Sequence, residues 1–131
     1  MINIITIERG TSTNETIEVE QTVDGELLIP NITTDWSSFI VLLLDQKGTI
    51  LLKWNWQDDG GLLSGYLQAG LGSEGNYIVL PFSYASTIAL QLGKANLLLK
   101  FKDNNGVVDE FQTYKNAIEV IETPAKTLPT E

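Results

Sequence analysis

The sequence predicts an all-β domain, an antiparallel immunoglobulin-like β-sandwich of seven or eight strands. Three observations carry this. Apolar residues recur at period two or in short solid runs rather than along a helical stripe. Turn-forming residues separate the runs at short intervals. Two hairpins share the turn pattern D-x-x-G, Asp45 to Gly48 and Asp103 to Gly106. A chain of 131 residues is one domain's worth. Residues 1–122 are expected to form the sandwich and 123–131 an extended C-terminal tail. A closed barrel or jelly roll is the alternative, because strand counting alone does not separate these architectures.

The elements follow in order. Ile2, Ile4, Ile5 and Ile7 mark a first strand. Thr16 to Glu20 alternates, so Ile17 and Val19 face inward while Glu18 and Glu20 face water. Glu26 to Ile32 is a short apolar stretch, and Pro30 places it at an edge or a strand end. The first hairpin joins Phe39–Leu44 to Thr49–Trp56, and the second joins Ala95–Lys102 to Val107–Tyr114. In each turn the Asp side chain caps the loop and the Gly accepts positive φ. Ile40, Leu42, Leu44, Leu97, Leu99 and Phe101 are the alternating positions expected in the core. Val41, Leu43 and Leu98 are also apolar, so the opposite parity should be covered too, or else mark an interaction surface. Trp54 and Trp56 share one strand face. One is expected to fill the core, leaving the other able to face solvent. Gly65 through Gly75 reads as loop or bulged edge, and Asn76 to Phe82 returns to strand. Residues 84–92 hold the one expected helical turn, capped by Ser83 or Ser86 and stopped by Gly93. Lys115 to Glu122 is the last strand.

Composition removes whole classes of chemistry. There is no cysteine and no histidine, which excludes disulfide scaffolds, thiolate nucleophiles, Cys/His zinc sites and the Ser-His-Asp triad. The formal charge of -9, from 8 basic and 17 acidic side chains, opposes binding to nucleic acid or to an anionic membrane. The eight basic residues are scattered, with only Lys100 and Lys102 close together at one parity. No secretory signal is legible at the N-terminus, so the chain is expected to be made as a soluble cytosolic protein, and Asn14-Glu15-Thr16 and Asn31-Ile32-Thr33 are read as coincidental glycosylation patterns.

Four constellations have a chemical reading, and each has a plainer one. Asp58-Asp59 offers paired carboxylates but precedes Gly60-Gly61, as a solvated turn does. Asp103, Asn105 and Asp109 supply alternate oxygens, yet the acidic residue that would close a calcium loop is Tyr114. Gly70 to Gly75 contains G-x-G-x-x-G but precedes a strand instead of opening a helix. Trp36, Trp54, Trp56, Tyr66, Tyr77 and Tyr84 could stack sugars, as in a carbohydrate-binding module, or fill the core. No catalytic residue, metal or cofactor is expected.

From Ser38 onward the order of features is a solid apolar strand, D-x-x-G and a return strand, a glycine-rich loop, and the T-x-x-L-x-x-G turn of Thr87 to Gly93. A strand, a second D-x-x-G and a last strand ending at Thr123-Pro124 complete it. This resembles the small Ig-like domains of tailed-bacteriophage virion proteins, including those that begin baseplate upper proteins. The likeness covers about two-thirds of the chain. It departs over residues 1–37, where seven acidic side chains face Arg9 alone. The resemblance implies a non-enzymatic structural protein, made in the host cytoplasm and located in the virion. It implies partners among capsid or tail proteins and multimeric assembly, with no direct nucleic-acid or membrane contact. A single bare domain suits decoration of a capsid surface, with a tail, neck or baseplate position as the alternative. Ile2, Ile4, Pro124 and Pro129 are the expected partner contacts, as an edge strand and an extended tail.

Overall fold

A computed structural model describes residues 4–57, 62–72 and 75–122. The fold is all-β. Eleven strands are described, more than the seven or eight expected, because four pieces of two or three residues add to the longer ones. They run β1 (Ile5–Glu8), β2 (Thr13–Glu18), β3 (Gln21–Val23), β4 (Glu26–Leu28), β5 (Trp36–Leu44), β6 (Ile50–Gln57), β7 (Leu67–Gln68), β8 (Gly70–Leu71), β9 (Tyr77–Phe82), β10 (Gly93–Asp103) and β11 (Val108–Ile121). Two short helices interrupt them, α1 (Ile32–Asp35), which local patterning did not reveal, and α2 (Tyr84–Ile88).

The main sheet has the order β1-β11-β10-β5-β6-β7 and a second has β2-β9-β8, with β3 and β4 forming a separate ribbon. The expectation of a purely antiparallel structure is corrected. β1 runs parallel to β11, with Ile5 opposite Ile118, and β7 runs parallel to β6, with Leu67 opposite Trp54. Both are pairings between distant or looped segments, which alternation within a strand does not encode.

The two larger sheets share one core. Ile7, Phe39, Val41, Leu43, Trp54, Leu97, Leu99 and Ile118 of the main sheet join Ile17, Ile78, Leu80 and Phe82 of the second. The Trp54 indole donates to the carbonyl oxygen of Pro81 at 2.8 Å, tying β6 to β9. Trp54 is fully buried, and Trp56, on the same face, is half-buried and stacks on Phe39.

The parity expected for β5 is reversed. Phe39, Val41 and Leu43 enter the core, while Ile40, Leu42 and Leu44 lie on the outer face of the sheet. In a run where every residue is apolar, either parity satisfies the pattern, and packing decides. Leu97 and Leu99 are buried as expected, with Phe101 packed at the core's margin. Residues 107–122, expected as two strands, include one continuous strand, β11. Between the two expected segments its pairing with β10 shifts register, around Asn116, where φ is 54°. Asparagine tolerates that conformation, and its backbone N–H finds the Asn96 side chain at 2.8 Å.

Candidate interaction surface

The two D-x-x-G turns are built alike. The Asp45 carboxylate accepts from the backbone N–H of Lys47 at 2.8 Å and of Thr49 at 2.9 Å, and Gly48 has φ of 87°. The Asp103 carboxylate accepts from Asn105 and Val107, both at 2.9 Å, and Gly106 has φ of 84°. These backbone hydrogen bonds, that from Thr49 foremost, hold the Asp45 carboxyl below its ordinary value of 3.8. The hairpins are neighbours in the sheet, giving the central order β11-β10-β5-β6.

The T-x-x-L-x-x-G segment leads from β9 into the second of them at β10. Ser83 caps α2 and exchanges hydrogen bonds with Ser86 in a capping box. Thr87 is fully buried and bonds to the backbone of Thr11, Leu90 enters the core, and Gly93 opens β10 at φ of 125°. The helix ends at Ile88, earlier than the expected stop at Gly93.

The chemical readings of the other constellations find these surroundings. Asp103 Oδ1 is engaged in its turn, and Asp109 Oδ1 accepts from the N–H of Glu110 at 2.7 Å. Among the described residues no three His, Cys, Asp or Glu side chains group closely enough to hold a metal ion. Asp58 and Asp59 lie outside the described residues, as do Ser73 and Glu74 of the glycine-rich loop. Gly70 and Leu71 form a short strand beside β9, and a Cβ on Gly72 would sit 2.7 Å from that of Tyr77. Of the six aromatic candidates, Trp36 and Trp54 are buried and Tyr77 donates to Glu18 at 2.7 Å. Tyr66 lies under the Lys53 ammonium, and Tyr84 alone is exposed. They do not make one flat strip.

Two surface features remain. The first is the ribbon of β3 and β4, closed by Asp24-Gly25 with both residues at positive φ, 51° and 83°. That is the geometry of a two-residue type I′ hairpin, and the Asp-Gly dipeptide is its sequence signal. Expecting only a strand near Glu26–Ile32 overlooked it. Every residue from 22 to 29 is exposed, including Val23, Leu27, Leu28 and Ile29. The second is the outer face of the main sheet. Leu42 lies between Leu98 of β10 and Lys53 of β6, and Ile40 lies beside Lys100. Lys94 and Lys102 share the outward parity of Lys100 along β10. Acidic residues interleave with them, since Glu119 and Glu110 of β11 lie opposite Lys94 and Lys100. Lys53, Lys94, Lys100, Lys102 and Lys115 form no ion pair within 4 Å among the described residues.

Of the expected partner contacts, Ile4 is exposed beside β1, while Ile2, Pro124 and Pro129 lie outside the described residues. No helix among the described residues is long and apolar enough to cross a membrane. Comparison with known proteins finds no matching family model and no matching curated protein.

Proposed function

We propose that the chain is a non-enzymatic structural accessory protein of a tailed-phage virion, built on an immunoglobulin-like domain. The observation that carries this reading is the side-by-side placement of the two D-x-x-G hairpins, the second entered through the Thr87–Gly93 turn. Each motif of the resemblance then has a distinct physical role: two turns in one sheet and a connection into it from the other. The exposed apolar ribbon and the lysine-bearing outer face add features suited to protein docking. Decoration of the capsid surface is the favoured position, with a tail, neck or baseplate position as the alternative. A carbohydrate-binding module draws little support, because stacking needs exposed flat rings and only Tyr84 supplies one.

The test is quantitative mass spectrometry of density-purified particles from the producing host. The expected result is the protein at a fixed ratio to the major capsid protein, retained on heads after tails are detached. Retention on tails would select the alternative position. Absence from particles whose other structural proteins are fully represented would overturn the virion reading.

A further inference from the structure

We infer that the β3–β4 ribbon of one copy docks on the outer face of the main sheet of a second copy. A two-stranded hairpin with nothing on either face is marginally stable in water. Here each strand has three residues, their one extensive contact is with each other, and residues 22–29 are all exposed. Cross-strand pairing puts Val23 opposite Glu26, and alternation adds Leu28 to that face. Val23 is 41% exposed and Leu28 45%. One ribbon face thus presents two aliphatic side chains around a carboxylate, with Asp24 at the tip.

The receiving surface has the complementary pattern. A depression of about 140 Å³ opens on the outer face beside Ser38, Ile40, Lys100, Lys102 and Val108. An apolar cavity of about 150 Å³ accommodates benzene, so this one has room for a single leucine side chain. Val108 at its rim is 65% exposed. Lys100 and Lys102 stand at the same rim, with Glu110 of β11 opposite Lys100, and neither lysine has an ion pair within 4 Å among the described residues. Leu28 in the depression would bring Glu26 and Asp24 toward those two ammonium groups. Opposite charge around an apolar contact sets partner and register.

The two surfaces lie on different parts of the chain, so the contact is heterologous. Each copy offers a ribbon and a face, and repetition gives a ring or a filament rather than a closed pair. The inference goes beyond the virion reading and does not require it.

The experiment is sedimentation velocity of the full chain over a wide concentration range. The wild type is expected to grow past the dimer with concentration, and to dissociate in high salt. Lys100→Glu with Lys102→Glu should weaken association at least about tenfold, and so should Asp24→Lys with Glu26→Lys. Mixing the two variants restores complementary charge at both surfaces, so the mixture should associate at equal stoichiometry. That recovery also shows both variants to be folded. A wild type that stays monomeric at high concentration would overturn the inference. So would unaltered association of the variants, or a mixture of folded variants, checked by circular dichroism, that remains monomeric. Binding of duplex DNA by a monomeric wild type would assign the lysines to a polyanion instead.

Discussion

Thr87 and Thr11 are joined by two hydrogen bonds through one hydroxyl. Thr87 Oγ1 accepts from the Thr11 N–H at 3.1 Å and donates to the Thr11 carbonyl oxygen at 2.8 Å. Both backbone groups of Thr11, between β1 and β2, are thereby satisfied from the end of α2. This explains a threonine at the head of T-x-x-L-x-x-G. Thr87→Val keeps the shape and removes both bonds. The expected cost is about 1–3 kcal/mol, the range for leaving buried polar groups unpaired, read from urea unfolding. Thr87→Ser should retain most of the stability.

Gly48→Val and Gly106→Val should each cost roughly 1–2 kcal/mol, because a β-branched residue is forced to positive φ. Nothing lies within 4 Å of a Cβ at either site, so the penalty is conformational and not steric. Asparagine at either position should cost much less. At Gly72, where φ is ordinary, even alanine meets Tyr77, and destabilisation there would arise from packing. Thermal unfolding of the five variants separates the two causes.

Asp45 gives a sign for acid stability. Its folded pKa lies below the ordinary 3.8, since the backbone N–H of Thr49 and that of Lys47 favour the carboxylate. Its contribution is present above 3.8 and is lost as pH falls through the lower folded value. Asp45→Asn removes the titration, so the urea midpoint of this variant should fall less steeply below that pH than the wild type's.

Tyr114 gives the opposite sign at high pH. Burial raises its phenol from 10.0 to about 12, and its hydroxyl has no hydrogen-bond partner among the described residues. The neutral phenol is the folded form, so its stability term is complete below 10 and is lost as pH rises toward 12. Tyr114→Phe should abolish that alkaline loss. At neutral pH it should be neutral or stabilising by up to about 1 kcal/mol, because an unpartnered buried hydroxyl is removed. Denaturant midpoints across the alkaline range read both effects.

The sequence is most legible where one residue type answers one backbone need. Asp45, Gly48, Asp103 and Gly106 occupy the turns their pattern predicts, and Ile17 and Val19 are buried as alternation requires. It is least legible where several answers satisfy one pattern. Phe39 to Leu44 is apolar at both parities, so its inward side was undetermined until Trp54, Leu52 and Leu97 packed against it. The parallel pairing of β1 with β11 spans almost the whole chain and leaves no local trace. The interaction surface divides the same way. Asp24-Gly25 carried a readable hairpin signal, whereas the placing of Leu42 between Lys53 and Leu98 depends on which strands flank β5.

The central claim is that the β3–β4 ribbon is ordered against another protein surface. Hydrogen exchange at dilute and at high protein concentration tests it most directly. Amides of residues 22–28 should exchange at least about tenfold more slowly in concentrated solution, while those of β5 and β10 keep their rates. Ribbon amides whose rates are the same at both concentrations would contradict it.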